Sequence, residues 1–582
     1  MKEKVNIILE KNTVLIICWL VVSLINLNKA YHIDDTFHLE AGTYIIDHLI
    51  TPMSGKINWD NSPTEMYNHN QPPLFFLFIG IIIKLFNSNE ITLHIFLSIF
   101  TLLALVYYNK ILEILDVNKK YIYIILIAFN PAFIVNQNLM TDIPILAITF
   151  IFIFYLIEGL QSNKTKKIII SSIILSIGLL IKYTLIPYII LLILAIGLTK
   201  KIKNLLILAI PIATLCLWSL WNHLEYGGIH LIGRPRKAFN LEDVWAFLGT
   251  LGSISFFSIL IIQGFFSRKI SNILLVIEII SFIGLIIIFQ IDIINEEFIN
   301  KHIHTLFMII GGITILSIIY KSIYIFINTK KINKLRYKFL IVTQIIGLTL
   351  FINLYAPFIA TRHLLLILPF ILILFEEEIN KCGSFFENLL LLKTIVFGIL
   401  IGVSDYCYAD FYRKKAAEIQ FHGHIIWTTG HWGWQWYAKK AGMKIYSQDE
   451  DWKLKKGDLL IIPKNIAKQT INENILLDTI AFKTEQYNYM TLISGKNFAS
   501  LYNTFYKKPA WSLSKNTIDT IFICKIKKGV PFRKKLSKEE EMINSIKKDK
   551  QWYELIKIKA IKNKISIDSM LMIDAKWSLE NK

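Results

Sequence analysis

The 582-residue chain has few of the covalent or metal staples that hold small soluble domains together. It carries five cysteines and no Cys-x-x-Cys, which argues against both a disulfide framework and a zinc cluster. Charged residues make up only 18% and apolar residues 54%, with mean hydropathy +0.49. That balance is too apolar for a soluble enzyme of this length and fits a membrane protein. No internal repeat or low-complexity linker stands out. The formal charge of +20 is dispersed in short loops between apolar runs, so anionic lipid headgroups are its expected partner and nucleic acid is not.

What the chain does have is a succession of apolar runs. A first run, 12–27, follows Lys2, Lys4 and Lys11 and is not followed by a small-residue cleavage site, so it reads as an uncleaved helix. Further runs lie near 91–108, 121–139, 143–160, 168–183, 185–199, 205–222, 247–266, 271–290, 303–327, 339–354, 363–375 and 394–409. The expectation is a polytopic α-helical membrane protein of about thirteen spans over residues 1–410. Lysine and arginine bias places the N-terminus in the cytoplasm, and an odd number of crossings places the C-terminus outside, in a cell membrane. The run Pro72 to Phe86 is short and opens on two prolines, so it reads as a helix lying in or dipping into the outer interface. From about Phe421 apolar and polar positions alternate in short runs, including 457–463 and 517–526, and residues 411–582 are expected to form an extracytoplasmic α/β domain.

Charges collect where predicted spans meet the outer face. Asp34 and Asp35 follow the first span, in Tyr31 to His38. Asp142 lies in the turn between the third and fourth, Lys182 between the fifth and sixth, and Arg362 with His363 at the start of the twelfth. Acids at a membrane surface are a functional-site hypothesis by default. A carboxylate can take the proton from an attacking hydroxyl or amine, and a lysine or arginine can hold a departing phosphate. Each residue also has a structural reading. Asp34 and Asp35 suit a capping and solubilising pair, Asp142 an N-cap, and Lys182 and Arg362 snorkelling anchors. Arg234 and Arg236, on the outer side against the positive-inside trend, suit either phosphate contact or a solvated loop.

In order along the chain these motifs resemble the membrane glycosyltransferases of the dolichyl-phosphate-mannose–protein mannosyltransferase and aminoarabinose transferase superfamily, whose fold is of the GT-C type and which includes glycosyltransferase family 39. The carriers of the resemblance are Asp34-Asp35 in the first outer loop and Asn70-Gln71-Pro72-Pro73-Leu74. Asp142 after Asn130-Pro131, Lys182-Tyr183-Thr184, and Arg362-His363-Leu364 follow. The resemblance implies transfer of a sugar from a polyprenyl-phosphate carrier to an acceptor, with inversion. It makes Asp34 the catalytic base, supported by Asp35 and Asp142. Lys182, Arg362, His363, Gln71, Arg234 and Arg236 would then meet the carrier phosphate or sugar. Two positions depart from the pattern. Gln71 stands where some relatives place a phosphate-binding lysine, and Phe37 stands where aminoarabinose transferases carry a basic residue. A divalent cation at the acid pair, known in distant relatives, stays open.

Two rival classes stay open beside it. A transporter or flippase of lipid-linked sugars would need charges deep within spans and broken helices in matching halves. A membrane-anchored carbohydrate-binding protein would use the aromatic run His431 to Tyr437 as a sugar platform, unless that run packs into a core.

Overall fold

The structure is a computed structural model describing residues 2–69, 71–199, 202–233, 239–255, 257–262, 267–328, 332–421, 423–485, 490–493, 501–502, 508–531 and 538–580. Among these, seven helices are long and apolar enough to cross a membrane: Glu90–Ile114, Asp142–Ser162, Lys203–Tyr226, Arg268–Gln290, Glu296–Asn328, Tyr337–Tyr355 and Ser384–Glu418. Shorter apolar helices run over Asn12–Asn26, Leu74–Phe86 and Tyr183–Leu198.

Three of the apolar runs read as single spans are broken, each for a local reason. The run 121–139 divides into the helices Lys120–Ala128 and Pro131–Val135. Asn130 makes the break: its side chain accepts from the Ala132 N–H at 2.9 Å and so caps the second helix, with Pro131 at its first position. The run 247–266 ends its first helix at Ile254, and Ser255 leaves helical geometry. The run 363–375 is a 3-10 turn, Thr361–Leu366, leading into the seven-residue helix Leu368–Leu374, which has Pro369 in its first turn.

The helix Leu74–Phe86 packs on a second short helix, Asp35–Ile45. At thirteen residues it is about 20 Å long, against a hydrocarbon core of about 30 Å. The two helices approach so closely that a Cβ on Gly80 would lie 2.3 Å from the Gly42 carbonyl oxygen. Only glycine fits there. Beyond this pair, a small antiparallel ribbon joins β1 (Lys56–Asn58) to β2 (Pro63–Glu65).

The C-terminal part holds a five-stranded mixed sheet. Its strands are β3 (Ile426–Thr428), β4 (Lys444–Ile445), β5 (Leu459–Pro463), β6 (Leu476–Thr484) and β7 (Thr520–Lys528), in the order β4-β3-β5-β7-β6. The helix Trp432–Lys440 makes the crossover between the parallel strands β3 and β4, and β5 pairs antiparallel with β7. One face of the sheet shares a continuous core with the helical body, through Trp434, Ile461, Ile521 and Ile523. Trp434 is fully buried, and its indole N–H donates to the Thr428 hydroxyl at 2.8 Å. The aromatic run is therefore largely core: Tyr437 is buried too, and Trp432 and Trp436 pack against the same cluster. That removes most of a sugar platform there.

Contact between sheet and body is dense around residues 31–36. The Tyr31 N–H donates to the Tyr437 hydroxyl at 2.8 Å, and the Thr36 hydroxyl donates to the Trp432 carbonyl at 2.6 Å. Gly433 lies against the same loop, where a Cβ would sit 2.0 Å from the Tyr31 carbonyl oxygen. The loop bearing the acid pair is thereby clamped between sheet and helices.

Candidate active site

The acid pair opens the helix Asp35–Ile45. Ile33, just before it, sits at φ +50, a left-handed conformation that a β-branched residue adopts at a cost of about 1–3 kcal/mol. Such strain persists only where surrounding packing imposes it, and here it turns the chain so that Asp34 takes the N-cap position. Asp34 makes no side-chain capping bond, so its carboxylate is not spent on the helix end. It lies instead 3.5 Å from Nη2 of Arg362.

Asp35 points elsewhere. It is fully buried, and its Oδ2 accepts from the His32 N–H at 2.8 Å, closing the turn behind the strained residue. Burial pushes the Asp35 carboxyl up to about 8, against the opposing pull of the His32 N–H and the Lys29 ammonium. The two adjacent acids thus have different surroundings: Asp34 meets a cation and retains some exposure, whereas Asp35 is sealed in.

Asp142 is the first residue of its helix, and Thr141 occupies the N-cap without a side-chain bond. Its carboxylate does no capping. Lys182 Nζ donates to Asp142 Oδ1 at 2.7 Å, and Arg362 Nε lies 3.6 Å from Asp142 Oδ2. Lys182 projects from the turn between the helix Thr165–Leu179 and the 3-10 turn Tyr183–Leu185. Arg362 projects from the 3-10 turn Thr361–Leu366 and is only 5% exposed, which rules out a snorkelling anchor. Its Nη1 donates to the Tyr502 carbonyl at 3.1 Å, and its guanidinium lies over the Phe358 ring at 5.3 Å.

Four residues from distant parts of the chain, Asp34, Asp142, Lys182 and Arg362, therefore form one cluster of two acids and two bases. Arg362 is shared by both carboxylates at distances longer than the 2.7–2.9 Å of a tight charge-assisted bond. A guanidinium shared at these distances, with N–H donors to spare, is suited to an incoming phosphate. Burial of Asp142 and Arg362 strengthens every such interaction.

Gln71 is buried at the start of the Pro-Pro segment, with its Oε1 unpaired among the described residues. That segment is tied to the lysine turn, since the Leu74 N–H donates to the Leu180 carbonyl at 3.2 Å. His363 stacks obliquely on Phe358 at 5.4 Å, with its Nδ1 buried and unpaired among the described residues. Arg234 and Arg236 lie outside the described residues.

Two features escape a reading of the sequence. His38 lies one helical turn after Asp34 and is fully buried against Phe76. Its Nδ1 lies 2.6 Å from the Leu139 carbonyl and so carries the proton, leaving Nε2 as a buried acceptor with no partner among the described residues. Burial holds this imidazole below the usual histidine range, opposed by the nearby Asp34 carboxylate. The i, i+4 spacing from Asp34 was the available signal. The second feature is a buried network behind the site. The Lys29 ammonium contacts the Asp405 carboxylate, and both are fully buried. The Tyr502 hydroxyl donates to Asp405 Oδ2 at 2.9 Å and accepts from Lys29 at 3.2 Å and from the Asn138 side chain at 2.8 Å. No spacing in the sequence announces partners so far apart.

A divalent cation at the acid pair does not fit this donor set. Asp142 is taken by two cationic side chains, Asp35 faces away into its own turn, and Asp34 alone is left. Among the described residues no group of three histidine, cysteine or acidic side chains is placed to hold a metal ion.

Comparison with known proteins gives one family-model match over part of the chain and several structural likenesses. No curated protein matches the chain. Among solved structures, ArnT from Cupriavidus metallidurans bound to undecaprenyl phosphate is similar at 10% identity and a TM-score of 0.36, over 78% of this chain and 92% of that one. The oligosaccharyltransferase of Archaeoglobus fulgidus, tethered to an acceptor peptide containing the NVT sequon, is similar at 10% identity and a TM-score of 0.42, over 75% of this chain and 64% of that one. A family model described as dolichyl-phosphate-mannose-protein mannosyltransferase matches residues 70–222. Over that stretch, which holds Gln71, Asp142 and Lys182, the chain is similar to the dolichyl-phosphate-mannose–protein mannosyltransferases.

Proposed function

We propose that the protein is a membrane glycosyltransferase that moves a sugar from a polyprenyl-phosphate carrier to an acceptor on the outer face of a cell membrane. The observation that carries this reading is the four-residue cluster, with Arg362 shared between Asp34 and Asp142. The family match over 70–222 agrees with it.

In this mechanism Asp34 accepts the proton of an acceptor hydroxyl or amine as its oxygen or nitrogen attacks the anomeric carbon. The bond from that carbon to the phosphate oxygen breaks, and the electron pair leaves with the polyprenyl phosphate. Attack opposite the leaving group inverts the configuration. Arg362 and Lys182 neutralise the charge that develops on the leaving phosphate, and Asp142 holds both cations in place until then. In this reading Gln71 and His363 serve as hydrogen-bonding groups for the phosphate or sugar. Arg234 and Arg236, outside the described residues, are assigned to the same phosphate on their charge alone.

The topology that goes with this reading has about thirteen crossings, the N-terminus in the cytoplasm and the sheet-bearing C-terminal part outside. Lysine and arginine bias of the loops supports it. The test incubates the purified full chain in detergent with a panel of radiolabelled polyprenyl-phosphate sugars and candidate acceptors. Label should pass to an acceptor with the native chain and not with Asp34→Asn. Equal transfer by both proteins would end the assignment.

A further inference from the structure

The last three helices, Lys538–Lys548, Lys550–Asn563 and Ile567–Glu580, pack on one another around Ile546, Ile556, Ala560, Met570, Leu571 and Ala575. The middle helix is apolar on two opposite faces. Ile556 and Ala560 point into this small core. Leu555, Ile558 and Ile561 are 56%, 61% and 79% exposed and, at 3.6 residues per turn, share an arc of about 120° on the other side. The following helix exposes Ile573 and Trp577 as well. The outward apolar stripe has no structural use within the three-helix unit.

Charge around the stripe is mostly positive, with Glu554 set among the apolar residues and paired with Lys557. Residues 547–564 contain seven lysines (547, 548, 550, 557, 559, 562 and 564) against Asp549 and Glu554. Lys557 and Lys559 are paired with Glu554 and Asp574. Lys562 and Lys564 are exposed beside Ile561 and have no acidic partner among the described residues. An exposed apolar stripe bordered by unpaired lysines is the composition of a helix that lies in a lipid interface. A protein surface that bound a soluble partner would have less need of unneutralised charge.

From these observations we propose that the helix Lys550–Asn563 docks on the surface of a bilayer carrying anionic lipid headgroups. Leu555, Ile558 and Ile561 enter the headgroup–acyl boundary, and Lys562 and Lys564 meet the headgroup phosphates. The occupant follows from charge complementarity and from anchorage, since the chain's own long apolar helices keep this unit beside a bilayer. The inference is independent of the sugar-transfer reading.

The test places the full chain, with Ile561→Cys, in lipid nanodiscs and attaches an environment-sensitive nitrobenzoxadiazole dye. Ile558→Cys serves as a second labelling position. The parent chain carried through the same labelling gives the background from its own cysteines, of which Cys216 is exposed. Doxyl-labelled lipid is the quencher. Strong quenching is expected in phosphatidylglycerol-rich nanodiscs. It should fall at least to half when all lipid is phosphatidylcholine, and equally when Lys562→Glu and Lys564→Glu are introduced. Both lysines are exposed, so the unit should remain folded in that variant. Absence of quenching at both positions overturns the proposal. So does a blue-shifted dye that lipid does not quench, which would mark the stripe as covered by protein. Quenching that ignores lipid charge overturns the assignment to anionic headgroups.

Discussion

Arg362 donates from Nη1 to the main-chain carbonyl of Tyr502 at 3.1 Å, while the Tyr502 phenol is held by the buried Lys29–Asp405 pair. The guanidinium that meets Asp34 and Asp142 is thus fixed from behind by a residue of the C-terminal part, 140 positions away. Thr361 strengthens the link, because its N–H and hydroxyl both donate to the Leu501 carbonyl, at 3.2 and 2.7 Å. Removing the Tyr502 hydroxyl should loosen Arg362 without deleting it. Tyr502→Phe is expected to raise KM for the polyprenyl-phosphate donor several-fold, with kcat changed less. An unchanged donor KM in a folded variant would show that the network supports the fold alone.

Asp34→Asn should lower transfer by about 10²–10⁴-fold, the range for loss of a general base. Because Asp34 makes no capping bond, membrane level and detergent stability should stay close to those of the parent. The check is a radiolabel transfer assay on both proteins at matched purified concentration.

Asp35→Asn should separate the two acids. The Asp35 carboxyl is pushed up to about 8 by burial, so the fold favours its neutral form. A raised folded-state pKa contributes stability that is fully present below the unfolded value of 3.8 and is lost as pH rises through about 8. Asparagine does not titrate, and its side-chain oxygen can still accept from the His32 N–H. The melting temperature of Asp35→Asn relative to the parent should therefore climb with pH across that window. Transfer should stay within a few-fold of the parent. Loss of activity as complete as in Asp34→Asn would move the base to Asp35.

Lys182→Met leaves Asp142 buried with only the longer contact to Arg362. Breaking one partner of a buried pair costs about 3–5 kcal/mol, and the remaining Arg362 contact should keep the loss near or below the lower end. Adding Asp142→Asn should recover most of it, since no unpaired charge is then left. Thermal unfolding of the two single variants and the double variant measures the coupling directly.

Gly433→Ala should disturb the clamp between sheet and acid loop. The added Cβ meets backbone, the Tyr31 carbonyl, which cannot rotate away as a side chain would. Loss of about 1–3 kcal/mol is expected from overpacking alone. Gly197→Ala is the control, because nothing lies within 4 Å of its added Cβ. Limited proteolysis should cut Gly433→Ala faster than either the control or the parent.

Much of the candidate cluster was legible in the residues themselves, because charge in an apolar chain is costly and so conspicuous. Asp34, Asp142, Lys182 and Arg362 could each be picked out by that cost and by their places at the ends of apolar runs. The division between Asp34 and Asp35 was not legible, since it depends on the left-handed turn at Ile33 and on what packs around it. Nor could hydropathy alone separate an unbroken span from the capped break at Asn130, which conserves apolar character on both sides.

The sequence by itself determined that this is a helical membrane chain with strand-forming segments near its end, because hydropathy and alternation are local properties of consecutive residues. Only the tertiary structure decided which charges meet. Lys29 with Asp405, Asp142 with Lys182, and Arg362 with both Asp34 and Tyr502 are joined across gaps that no periodicity records. Partner choice between buried charges is set by where packed helices and sheet bring their ends, and the desolvation penalty then holds each pairing in place.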